Sequence, residues 1–92
     1  MSIYTSQVTL GTATPVLIVK SHHMAQDVTI HNQSKSSNQY AYVGGESVSE
    51  SNSIHIDPGE TLQLKIQAGD VLYGVSNVAD LKVGIVQSLQ GG

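Results

Sequence analysis

The four histidines are the side chains in this sequence that could bind a metal ion or exchange a proton near neutral pH. His22 and His23 are adjacent, so in an extended chain they point to opposite faces and cannot easily share one ion. His31 and His55 occupy the polar positions of alternating segments, where solvent-facing residues are expected. No spacing typical of metal ligands is present. We therefore predict no metal site and interpret the histidines as solvated or interface residues, with a metal on an oligomer axis as the alternative.

The nucleophiles and carboxylates of the chain show no pattern of a catalytic site. There is no Cys, and no serine lies in a Gly-x-Ser-x-Gly elbow. Glu46, Glu50 and Glu60 could supply the carboxylate pair of a glycoside hydrolase, but they lie in polar loops, which favours solvated charges. Gly44-Gly45 lacks the Lys-Ser/Thr ending and the following helix of a phosphate loop. We expect no enzyme activity, no catalytic residue and no cofactor.

The tyrosines suggest binding rather than catalysis. Tyr40 and Tyr42 share one face of a predicted strand, and exposed aromatic rings can serve as stacking platforms for sugars. Because the chain has no Phe or Trp, the tyrosines must also supply bulk to the core. We favour a core or subunit-interface position for Tyr42 and Tyr73. Tyr4, near the N-terminus, fits either role.

Short β-type segments must position these side chains. Val28 and Ile30 alternate with polar residues, which predicts a strand with one buried face. Val16 to Val19 is a continuous apolar run, which predicts a strand buried on both faces. Pro58-Gly59 suits the two central positions of a type II turn. Seven or eight such segments predict an all-β fold, an antiparallel β-sandwich or barrel whose strand order stays open.

The length of the chain predicts one domain over residues 1–92, with residues 1–5 as a candidate flexible N-terminal arm. A domain of 92 residues has a thin stability margin, because it buries only about 60% of the surface that its unfolded chain exposes. No Cys is present to form a disulfide. Oligomerisation or docking onto a larger body is then the common way to gain burial.

Charge and hydropathy exclude two classes of partner. The chain has four Lys, no Arg and seven acidic residues, and its lysines are isolated, so we expect no nucleic-acid binding. The longest apolar run, residues 15–19, is far shorter than a membrane span, and the N-terminus has no signal-peptide pattern. We expect no membrane partner and synthesis in a bacterial cytoplasm.

From Val28 to Val75 the segments follow a recognisable order. The chain runs Val-Thr-Ile-His-Asn, Tyr-Ala-Tyr-Val-Gly-Gly, Ile-Asp-Pro-Gly-Glu-Thr-Leu-Gln-Leu and Gly-Asp-Val-Leu-Tyr-Gly-Val-Ser. This order and spacing resemble a small β-sandwich module common among virion proteins of tailed bacteriophages. The resemblance covers about half of the chain directly.

The resemblance implies a structural virion protein, most similar to a capsid decoration (cement) protein. Such proteins bind the outer surface of the expanded head, often as trimers at local threefold positions, and hold neighbouring capsomers together. The implied partner is the major capsid protein, the implied state a homotrimer, and the implied location the capsid surface. The residues that we expect at an interface are Ile3, Tyr4, Tyr40, Tyr42 and Tyr73.

The sequence is compatible with two other functions. The first is a tail- or head-attached binding module that recognises host surface glycan through Tyr40, Tyr42 or the loop 46–53. The second is a tail-tube or head-completion protein, although no long apolar hairpin of the kind those proteins use is evident.

Overall fold

The computed structural model describes residues 3–20, 25–49 and 51–89, and its regular secondary structure is entirely β-strand. The predicted all-β class is therefore confirmed. Across these ranges there is no helix, and so none that could cross a membrane. The strands are β1 (Ile3–Leu10), β2 (Val16–Val19), β3 (Gln26–Asn32), β4 (Ala41–Gly44), β5 (Ile54–Ile56), β6 (Thr61–Ile66), β7 (Leu72–Ser76) and β8 (Leu81–Leu89).

The eight strands form two four-stranded antiparallel sheets. The first sheet has the order β1-β8-β3-β6 and the second the order β2-β7-β4-β5. Only β4 and β5 are consecutive strands paired as a hairpin, and every other connection crosses from one sheet to the other. This is the strand order of a jelly roll, a double-sheet sandwich built from Greek keys. The structure thus selects the sandwich from the two predicted architectures.

The hydrophobic core lies between the two sheets. Val28 and Ile30 of β3 are fully buried while His31 is exposed, so the predicted alternation of that strand is confirmed. Burial of such side chains stabilises the fold by roughly 1.5–3 kcal/mol each relative to leaving them exposed. The buried cluster contains Leu10, Ile18, Val19, Val28, Ile30, Ala41, Val43, Ile56, Ile66, Leu72, Leu81, Val83 and Ile85.

The turn between β5 and β6 is of the predicted type. The amide of Glu60 donates a hydrogen bond of 3.0 Å to the carbonyl of Asp57, which closes a four-residue turn around Pro58 and Gly59. Gly59 has a φ of 77°, the left-handed value that the third position of a type II turn requires. The type II turn predicted at Pro58-Gly59 is therefore confirmed.

One expectation about strands differs from the structure. The prediction that Val16 to Val19 is buried on both faces is wrong for Leu17, which is 38% exposed. The reason is that β2 is an edge strand with β7 as its one neighbour in the sheet. Within residues 1–5, the candidate flexible arm, residues 3–5 begin β1 and pair with β8, and residues 1 and 2 lie outside the described residues.

Candidate binding surfaces

The edge of the first sheet formed by β1 differs from the other three sheet edges. β5 has three residues, β2 has four with a register shift, and the edge strand β6 carries Lys65. Short length, irregularity and charge each hinder the addition of another strand. β1 has none of these features: its eight residues, Ile-Tyr-Thr-Ser-Gln-Val-Thr-Leu, are uncharged and pair with β8 in one unbroken register. We call this surface the β1 edge.

Two of the predicted interface residues lie at the start of the β1 edge. Ile3 is 66% exposed and Tyr4 is 54% exposed. Tyr4 belongs to the same alternating phase of β1 as Leu10, which is 1% exposed in the core. The core-side face of β1 is therefore buried at its C-terminal end and accessible at its N-terminal end.

The other three predicted interface residues come together on the outward side of the second sheet. Tyr42 pairs directly with His55 of β5 and with Val75 of β7. Val48, from the loop after β4, packs with Tyr42 and Val75 and is buried with them. Tyr40 and Tyr73 pack against this small cluster and stay half-buried. We call the surface formed by Tyr40, Tyr42, Tyr73 and His55 the tyrosine face.

One end of the tyrosine face contains a shallow depression of about 320 Å³, lined by Tyr40, Tyr42, His55 and Asp57. The rings of Tyr40 and His55 meet edge to face, with centroids 6.2 Å apart and planes at 89°. Nε2 of His55 lies 3.3 Å from Oδ1 of Asp57. The imidazole therefore contacts both the aromatic ring and the carboxylate that border the depression.

A second depression adjoins the first. Its volume is about 360 Å³, and it shares Tyr40 and Asp57 with its neighbour. Its remaining lining is polar apart from one proline, and consists of Lys35, Ser37, Asn38 and Pro58. Together the two depressions place an aromatic ring, a carboxylate and an ammonium group along one stretch of surface.

Two asparagines anchor the loop 33–40 that carries Tyr40. Asn32 is fully buried, and its Nδ2 donates hydrogen bonds of 3.0 Å to the carbonyls of Gln39 and Ile56. Its Oδ1 accepts a bond from the amide of Ser34. Asn77 accepts a 2.8 Å bond from the amide of Tyr40 and donates to the carbonyl of Asn38. Both ends of the loop are thereby fixed.

Neither asparagine was predicted from the sequence to hold this loop. Asn32 closes an alternating segment, and Ser34 follows it at the spacing of an Asx-turn, in which the side-chain oxygen binds the amide two residues on. That spacing was an available signal for a turn. The hydrogen bonds to the carbonyls of Gln39 and Ile56 had no such signal in the sequence, since they depend on which loop and which strand pack against β3.

The remaining residues considered for chemistry are dispersed. Nδ1 of His31 lies 3.1 Å from Oγ1 of Thr61 on the first sheet. His55, which contacts Asp57, lies on the second sheet. Glu46 and Glu60 are exposed. Within the described ranges no group of three or more His, Cys, Asp or Glu side chains is placed to hold a metal. The predictions for His22, His23 and Glu50 fall outside those ranges.

The similarity of this chain to known proteins concerns its fold alone. No protein-family model matches the chain, and no curated protein sequence matches it. Among solved structures, the chain is similar to a protein from the Bacillus endospore appendages, described as a family of disulfide-linked pili. The TM-score is 0.59, with 10% identity over 96% of this chain and 85% of that one. A second similar structure is PliG of Aeromonas hydrophila, a periplasmic inhibitor of g-type lysozyme, with a TM-score of 0.43, 16% identity and coverage of 97% and 85%.

Proposed function

We propose that this protein is a structural component of a tailed-bacteriophage virion, a decoration protein that binds the outer surface of the expanded head and stabilises it. The major capsid protein is its proposed partner, and the β1 edge is its proposed attachment surface. Synthesis in the host cytoplasm would precede assembly onto the capsid surface. The observation that carries the proposal is the long, uncharged and regular edge strand with exposed Ile3 and Tyr4.

The β1 edge suits a lasting attachment to another chain. An extended segment that adds to a sheet edge gains main-chain hydrogen bonds along its length, and side chains on alternate positions set the fit. Tyr4 offers an aromatic ring at the accessible end, and Tyr is enriched in the buried centres of protein interfaces. Natural proteins block edges that are meant to stay free, and β1 carries no such block.

The resemblance of residues 28–75 to phage virion modules is the second support. The resemblance indicates which kind of assembly the protein joins, whereas the edge strand indicates only a surface to which another chain can add. The fold itself is neutral, because jelly rolls occur in viral capsid proteins and in lectins alike. A homotrimer is proposed on the same resemblance. Many weakly bound copies on one shell would act together through multivalency.

Co-sedimentation with phage heads tests this proposal. Purified protein is mixed with expanded or unexpanded heads of the phage that encodes it, prepared without this gene product. We expect saturable binding to expanded heads alone, at a stoichiometry set by the lattice. Absence of binding to both forms would refute the decoration function.

A further inference from the structure

We propose that Tyr40 and Asp57, with the side chains around them, form a carbohydrate-binding site on the tyrosine face. A sugar ring would stack on Tyr40, and its hydroxyl groups would bond to Asp57, Asn38 and Lys35. This site lies on the second sheet, whereas the proposed attachment edge belongs to the first. The proposal therefore goes beyond the structural function and does not depend on it.

The position of Tyr40 is the first argument for this site. Its half-buried ring belongs to the lining of both adjacent depressions, and so does Asp57. An elongated ligand that crosses from one depression to the other must pass these two side chains. The Asp57 side chain is 54% exposed while its Oδ1 contacts His55, so the carboxylate is oriented and still accessible.

The fixed conformation of the loop is the second argument. Asn77 bonds the amide of Tyr40 and the carbonyl of Asn38, and buried Asn32 bonds the carbonyl of Gln39. The backbone on both sides of the candidate ligand contact is held before any ligand arrives. A binding site held by such supporting bonds loses less conformational entropy when a ligand binds.

The mixture of chemical groups is the third argument, and it points to a carbohydrate. A sugar presents apolar C–H groups on one face and hydroxyls that both donate and accept around its rim. Tyr40 offers an aromatic face, Asp57 accepts hydrogen bonds, and Lys35 and Asn38 donate them. A strongly anionic ligand would be repelled by the carboxylate of Asp57. A purely apolar ligand would desolvate Lys35 and Asp57 without offering them hydrogen bonds. A neutral polyhydroxyl compound satisfies all four groups.

Glycan binding by the isolated protein tests the inference, with a printed array of bacterial surface polysaccharides as the probe. The positive glycan is then titrated against the protein with saturation-transfer NMR and calorimetry. We expect Tyr40→Ala and Asp57→Ala each to weaken binding by about tenfold or more. Tyr40→Phe keeps the ring and is expected to stay within about threefold of wild type.

Tyr4→Ala is the matched control, since it removes an exposed tyrosine from the other sheet. It is expected to leave glycan binding unchanged. Circular dichroism of each variant establishes that the fold is retained, and Asp57→Asn gives a second test without loss of side-chain volume. A blank array, or binding that is equal in wild type and Tyr40→Ala, would overturn the inference. Loss of head binding by Tyr40→Ala without any glycan binding would also overturn it, because the face would then be a protein interface.

Discussion

Nδ2 of Asn32 donates a 3.0 Å hydrogen bond to the carbonyl of Ile56, and this bond joins β3 of the first sheet to β5 of the second. The backbone of Asn32 adds to the link: its amide donates to the carbonyl of Glu60, and its carbonyl accepts from the amide of Gly59. The same side chain also holds Gln39. One buried residue thus connects both sheets, the type II turn and the loop beside the tyrosine face.

We predict that Asn32→Ala lowers the free energy of unfolding by about 2–4 kcal/mol. The substitution leaves the carbonyls of Ile56 and Gln39 without the donor that they share, and buried unpaired polar groups are costly. Urea unfolding followed by circular dichroism measures the change. Asn32→Asp keeps the shape but places a carboxylate against the two carbonyls, so we expect at least an equal loss. Gln63→Ala, an exposed change, is the control and should stay within about 0.5 kcal/mol.

Gly74 of β7 is closely approached by side chains from β2 of its own sheet and from β1 of the first sheet. A Cβ atom at this position would lie 2.5 Å from Cδ1 of Ile18 and 3.3 Å from Cδ2 of Leu10. We predict that Gly74→Ala destabilises the protein by about 1–3 kcal/mol through overpacking. The control is Gly45→Ala, where nothing lies within 4 Å of the added atom.

The cause of that loss is checked by a double variant. Ile18→Val removes the Cδ1 atom that the new methyl group would meet, so in combination with Gly74→Ala it should recover part of the stability. Thermal unfolding of the two single variants and the double variant gives the coupling. Strict additivity of the two losses would show that the clash is not their common cause.

Oligomerisation gives a third prediction. If the protein is a homotrimer, its melting temperature should rise with protein concentration, because association stabilises the folded chain by mass action. Sedimentation velocity over a hundredfold concentration range should show a species of three chain masses. A monomer throughout, with a constant melting temperature, would contradict the homo-oligomer.

Local patterns in the sequence predicted the elements of the fold, and long-range packing decided the rest. Alternation of Val28 and Ile30 identified β3, and Pro58-Gly59 identified a turn, because both depend on neighbouring residues. The strand order could not be predicted, since six of the seven connections cross between the sheets. The sequence of such a connection does not indicate which strand the next strand will pair with. Leu17 was misjudged because an apolar run does not reveal that its strand lies at an edge.

The candidate site likewise contains residues that the sequence identified and residues whose contribution depends on long-range packing. Tyr40 and Tyr42 were singled out by residue type and period, and both lie on the tyrosine face. The contribution of His55 and Asp57 follows from the pairing of β4 with β5, which places His55 opposite Tyr42. Burial of Val48 could not be foreseen, because the polar residues around it indicated only a loop.

The most direct test of attachment through the β1 edge is a comparison of two single lysine substitutions in head binding. Thr5 and Gln63 lie in one cross-strand row of the first sheet, at its two opposite edges, and both are exposed. Thr5→Lys adds a charge to the β1 edge, and Gln63→Lys adds the same charge to the β6 edge. A lysine on an edge strand opposes the addition of another strand.

Co-sedimentation with expanded heads then measures the affinity of wild type and of both variants. We predict that Gln63→Lys binds like wild type, while Thr5→Lys binds about tenfold more weakly or worse. Equal binding by all three proteins, or stronger loss in Gln63→Lys than in Thr5→Lys, would contradict attachment through the β1 edge.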